Sequence, residues 1–260
     1  MVGNGGTVQA LERALKLLEA LAQEKEGLGL NELARRVELH KSTVYRLLQT
    51  LKEHGYVEQD ADRGKYNLGL KILELSGRIL DRLDVRAVAH PYLKLLADKS
   101  NEVAHLVILD GDEAVYIDKV EGNRTIRMHS QIGRRVPLHS TAVGKAILAH
   151  LAWPEAKRLL ERKGLTGFTS RTITDWSTLA EHLERVRRQG YAVDDGENEE
   201  GIRCVGAPIF NHDRRVVAAL SISGPEVNIT WERIPELGEL VRWAGREISR
   251  RLGFQEEIGW

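Results

Sequence analysis

The chain has a single cysteine, Cys204, in 260 residues. That excludes an internal disulfide framework and fits a reducing cytoplasm, where we expect the protein to reside. It also lacks net charge, with 38 Lys and Arg against 38 Asp and Glu. A bulk polycation is excluded, so any nucleic-acid binding must come from a local patch. No apolar run approaches the ~20 residues that cross a bilayer. The opening Met-Val-Gly-Asn-Gly-Gly lacks the charged and apolar regions of a signal peptide and reads as a loose tail. The histidines are scattered, with no His-x-x-x-His pattern and no cysteine pair, so neither a metal nor a cofactor is expected. What is present, 42% hydrophobic residues, suffices for one large or two ordinary domains.

The stretch 28–51 reads as helix, tight turn, helix. Asn31 is a suitable N-cap for the first helix, and Ser42 and Thr43 are natural caps for the second. In the second helix Val44, Leu47, Leu48 and Leu51 recur at core-facing spacing. Ser42, Tyr45, Arg46 and Gln49 form a polar face with the groups a DNA major groove selects: a cation, an amide and hydroxyls. A polar stripe alone is equally a solvated helix face. Downstream, Gly55 ends the helix, and Tyr56–Gln59 and Lys65–Leu68 alternate like strands around an Asp- and Gly-containing turn. A hairpin placed there is a wing, with Arg63 and Lys65 at its tip able to reach DNA. On this reading Lys41, Ser42, Arg63 and Lys65 contact phosphates, and Thr43, Tyr45, Arg46 and Gln49 contact bases.

Upstream, residues 7–23 form an amphipathic helix with Val8, Leu11, Leu15, Leu18 and Ala22 on the side that would cover the helix-turn-helix, and 24–29 is a polar loop. Downstream, 70–83 is apolar and periodic and reads as a linker helix. A helix from about Asp84 follows, kinked or restarted near His90 because of Pro91. From Val103 the pattern changes to strands: a hairpin over 105–118, another strand over 125–129, a loop over 133–139, then a helix from Thr141 and another from Pro154. Thr174 or Asp175 caps a further helix, 191–194 is a strand, 204–223 a final hairpin, and 231–252 a closing helix. The expected class is α+β.

The Val8–Leu15 segment, Lys41-Ser-Thr-Val-Tyr-Arg-Leu-Leu48, Gly55-Tyr-Val57 and Tyr66-Asn-Leu-Gly69 together resemble the IclR family of bacterial transcription regulators, and the similarity runs from about Val8 to about Phe254. The resemblance implies a winged helix-turn-helix domain over 1–68, a linker helix over 69–83 and a GAF-like effector-binding domain over 84–260. It implies dimer contacts from the first helix and a dimer or dimer of dimers. It implies a ligand-responsive regulator of a catabolic operon, a repressor relieved by a small carboxylic or sugar acid. Two recognition helices of a dimer would meet successive major grooves ~34 Å apart on a near-palindromic operator of double-stranded DNA.

Leu138–Lys145 ends a loop and opens a helix, where free N–H groups favour an anion. Gly144-Lys145 is not a phosphate loop, because the glycine needed five residues earlier is His139. By resemblance, the Ala142 and Val143 N–H groups hold a carboxylate, Asp194, Ser221 and Ser223 bind oxygens further along, and Cys204 lies beside the ligand. Met128 and Leu138 would be apolar walls. A family member that binds a small acid has Gly and Ala where this chain has Ala142 and Val143, so that effector does not carry over. Asn101-Glu-Val-Ala104 also departs from the family's Gly-Glu-Thr. The rival reading is a small-acid-binding enzyme or sensor whose winged helix serves protein contacts, with Cys204 as nucleophile and His105, His129 or His139 as base.

Overall fold

The structure, a computed structural model, describes residues 8–81, 84–122 and 130–255. The expected strand over 125–129, with Met128 and His129, lies outside them. The chain divides into two compact units, Met1–Arg82 and Leu83–Trp260.

The first unit contains helices α1 (Gln9–Ala22), α2 (Leu30–Arg36), α3 (Lys41–Glu53) and α4 (Lys71–Asp81), with strands β1 (Val57–Gln59) and β2 (Tyr66–Leu68). Its core is Leu17 and Leu21 of α1, Leu33 and Ala34 of α2, Val44 and Leu48 of α3, with Leu28, Val57 and Tyr66. The α1 face differs from the expected one. Leu11 and Leu15 stay 59% and 49% exposed, because the core side is set one residue round the helix, at Leu17 and Leu21. Gly29, not Asn31, occupies the cap position of α2, which starts at Leu30 without a side-chain cap. The segment read as a polar loop explains this early start: Leu28 exchanges both backbone hydrogen bonds with Tyr66, at 3.0 and 2.8 Å, and delivers the chain directly into the helix. The α3 cap also shifts. His40 precedes the helix, its ring accepting from the Ser42 N–H and lying 2.9 Å from the Ser42 hydroxyl, so Ser42 and Thr43 lie inside the first turn.

The second unit is a six-stranded antiparallel sheet, order β5-β4-β3-β8-β7-β6. Its strands are β3 (Val103–Asp110), β4 (Glu113–Val120), β5 (Arg135–Val136), β6 (Ala192–Asp195), β7 (Ile202–Phe210) and β8 (Val216–Pro225). β5 falls in the segment expected to be a loop; it is two residues long and pairs with Ala114 and Val115. Helices α5 (Asp84–Ser100) and α9 (Ile234–Arg251) pack on one face around Leu93, Leu96, Leu220, Ile222, Val241 and Ile248. α5 runs on through Pro91 without a restart. On the other face lie α6 (Ala142–Leu148), α7 (Trp153–Glu161) and α8 (Trp176–Gln189), with Val107, Ala146, Ile147, Leu179, Leu183 and Ala219 between them. Asp175 caps α8 through the Thr178 N–H at 2.8 Å.

Because strand residues alternate faces, Ser221 and Ser223 share one face with Ala219, on the α6 side, while Leu220 and Ile222 fill the other core. This alternation places polar groups beside the start of α6.

Candidate functional site

In α3 the two stripes separate. Val44 and Leu48 are fully buried, whereas Lys41, Ser42, Tyr45 and Arg46 are exposed and Thr43 and Gln49 half-buried. Tyr45 is 48% exposed, far more than packing would leave an aromatic ring. Among the described residues neither Lys41 nor Arg46 makes an ion pair, so both cations remain available. The wing turn is built by Asp60, whose carboxylate accepts from the Asp62 and Arg63 N–H groups at 2.9 and 3.0 Å. Those bonds hold its pKa below the ordinary carboxylate value. Arg63 is exposed at the turn, and Lys65 lies 3.9 Å from Glu26, a loose pair that solvent screens.

In the second unit a cavity opens between the sheet and the start of α6, with Ala142, Val143, Asp194, Cys204, Ser221 and Ser223 all on its wall. Leu138 does not line it. That side chain is buried in the α6 core and borders a neighbouring cleft, because the Leu138 backbone lies against Gly144, where a Cβ would collide with it. Thr141 caps α6, accepting from the Gly144 N–H at 3.1 Å and donating to the Pro137 carbonyl at 2.6 Å. As the first residues of the helix, Ala142 and Val143 have no carbonyl within it for their N–H groups. Gly206 of β7 lets the helix start approach the sheet; a Cβ there would lie 3.1 Å from the Ala142 carbonyl carbon and 3.2 Å from the Val143 nitrogen.

Opposite lie the two serine hydroxyls, 3.3 Å apart. Asp194 is 3% exposed. Its carboxylate accepts from the Glu197 N–H at 2.7 Å. Burial pushes its pKa up to about 7, with Lys145 opposing that shift and Glu197 adding to it. Lys145, fully buried, donates to the Val193 carbonyl at 2.6 Å and pairs with the Glu197 carboxylate. Burial pushes the Cys204 thiol well up, so the thiolate needed of a nucleophile is disfavoured. His139 is engaged elsewhere, at 2.9 Å from the Thr166 carbonyl. Among the described residues no cluster of three His, Cys, Asp or Glu could hold a metal, and no helix is long and apolar enough to cross a membrane.

The sequence did not mark Tyr116, Ser130, Arg134, Asn198 and Glu199 as cavity residues, and it offered His105 only as a catalytic base. His105 stands directly across from Ser221 on paired strands and contacts Ser130 at 2.7 Å through Nε2. Burial drives its pKa down to about 3, keeping it neutral. Only the strand pairing could have revealed it; no local spacing carries that information.

Known proteins match both units. The IclR helix-turn-helix domain profile matches residues 10–61, and the bacterial transcriptional regulator IclR C-terminal profile matches residues 77–250. The HTH-type transcriptional regulator XynR of Escherichia coli is 39% identical over 95% of this chain and 98% of its own length. Transcriptional repressor IclR of the same organism is 38% identical over 95% and 91%. An IclR homologue from Microbacterium hydrocarbonoxydans, solved in complex with 4-hydroxybenzoate, superposes with a TM-score of 0.81 at 26% identity, covering 94% of this chain and 99% of that one. With both profiles matched in order and relatives aligned over nearly their whole length, the chain belongs to the IclR family of bacterial transcriptional regulators.

Proposed function

We propose that the protein is a repressor that binds a near-palindromic operator as a dimer or dimer of dimers and is released by a small organic acid. The observation that carries this is the division of α3, whose Val44 and Leu48 are sealed in the core while Tyr45 and Arg46 are exposed and, among the described residues, Arg46 makes no ion pair. In this reading Thr43, Tyr45, Arg46 and Gln49 meet base edges, and Lys41, Ser42, Arg63 and Lys65 meet phosphates. The exposed Leu11 and Leu15 of α1 would be covered in the dimer.

For the effector, the Ala142 and Val143 N–H groups supply an anion cradle, with Asp194, Ser221 and Ser223 facing the rest of the ligand. The cavity volume of about 50 Å³ favours a compact acid. The acidic ligand of the Microbacterium neighbour supports the ligand class. The high-pKa thiol of Cys204 favours ligand contact over covalent chemistry. An acid can release DNA only by binding one arrangement of the paired DNA-binding domains more tightly than the other.

The test is fluorescence anisotropy on DNA from the gene's own upstream region against a random duplex at two salt concentrations. Selective, salt-sensitive binding is expected, since neutralised phosphates release counterions. Equal, weak binding to both duplexes would overturn the reading.

A further inference from the structure

We propose that Asp194 takes up a proton when an acidic effector enters the cavity, so that effector affinity falls as the pH rises. This rests on the effector reading above and adds a regulation to that site. Lys145 of α6 is fully buried and already satisfied by the Glu197 carboxylate and the Val193 carbonyl. Asp194 of β6 is buried beside this pair and, among the described residues, has no cation within ion-pair distance. The cluster of Lys145, Glu197 and Asp194 therefore holds one ammonium and two carboxylates.

The other groups that face Asp194 do not correct the imbalance. Tyr116 of β4 and Cys204 of β7 are both pushed up by burial and stay neutral. His105 of β3 is neutral as well. Arg134, before β5, and Glu199, after β6, line the cavity with opposite signs. The N–H groups of Glu197 and Asn198 favour ionised Asp194, but burial outweighs them and leaves the group near neutrality.

An effector carboxylate on the Ala142 and Val143 N–H groups brings a further negative charge into the same low-dielectric space, where like charges disfavour one another's ionised forms. A proton from solvent restores the balance. It also changes Asp194 from an acceptor that repels effector oxygens into a donor that binds one. Below the titration of the free group Asp194 is already protonated and uptake vanishes. Above it, binding takes up as much as one proton, and affinity falls by as much as ~10-fold per pH unit.

The experiment is calorimetric titration of the full chain with 4-hydroxybenzoate, pyruvate, propionate and D-gluconate at pH 6 and 8, in two buffers of different ionisation heat. Expected is near-zero proton uptake at pH 6, uptake approaching one proton at pH 8, and weaker binding at pH 8. Asp194→Asn, a permanent neutral donor, should bind with no proton uptake and with little dependence on pH. Binding of an acid without uptake at pH 8, or an unchanged pH slope in Asp194→Asn, would overturn the inference while leaving the effector reading intact. Failure of every acid to bind at either pH would overturn the effector reading and the inference with it.

Discussion

Helices α3 and α6 use their polar residues in opposite ways. α3 buries one stripe and exposes Lys41, Ser42, Tyr45 and Arg46, and among the described residues neither Lys41 nor Arg46 makes an ion pair. All seven residues of α6 are buried, Lys145 among them, and its charge is satisfied by Glu197 more than fifty positions away. A cation on a half-exposed helix is available for function, whereas one in a sealed helix holds the fold together. The small-molecule site we propose lies at the start of the sealed helix, where backbone N–H groups and an unbalanced carboxylate meet.

The comparison can be broken most forcefully at Lys145. Lys145→Met strands the Glu197 carboxylate in the core and should cost ~3–5 kcal/mol in urea unfolding, while Lys41→Met on α3 should cost almost nothing. Adding Glu197→Leu to Lys145→Met should recover part of the loss; no recovery would place the cost in packing.

The unbalanced carboxylate gives a pH signature. Burial pushes the Asp194 pKa up to about 7 in the folded chain, from an ordinary carboxylate value of 3.8. The folded state therefore binds a proton that the unfolded state has released, and stability falls as the pH rises from about 4 to about 7. Asp194→Asn should flatten that fall and gain stability on the order of 2 kcal/mol at pH 7.5. A melting temperature with the wild-type pH dependence would contradict this.

Ser221→Ala combined with Ser223→Ala should abolish the response to acid, a coupling of ~1–3 kcal/mol, and leave DNA binding without acid intact. An undiminished response would move the effector elsewhere. On the α3 side, Arg46→Ala should cost ~1–3 kcal/mol on the operator and less on random DNA, with folding stability unchanged. Equal losses on both duplexes would reduce Arg46 to a phosphate contact. The smallest effect is expected at Lys65→Ala, which should lower the salt dependence of binding by about one counterion.

The same contrast explains what could be read from the chain. The α3 face was legible because a helix of period 3.6 sorts its own polar residues, and the wing was legible from Gly55 and the Asp60–Lys65 turn. The Ser221 and Ser223 hydroxyls were legible as a pair because strand residues alternate. The start of α2 was not, because a backbone bridge from Leu28 to Tyr66 fixes it. The face of α1 was not legible because both its stripes are apolar, and only packing decides between Leu11 with Leu15 and Leu17 with Leu21. The Lys145–Glu197 pair and the position of His105 depend on contacts far apart in sequence, for which no spacing rule exists.

The central claim is that an acid in the second unit changes how the first unit holds DNA. It is tested most directly by anisotropy of the full chain on labelled upstream DNA, titrated with the acid found by calorimetry, in the wild type and in the Ser221→Ala, Ser223→Ala variant. The account predicts that the acid releases the wild type from DNA and leaves the variant bound. Release of both, or of neither while the wild type binds the acid, would contradict it.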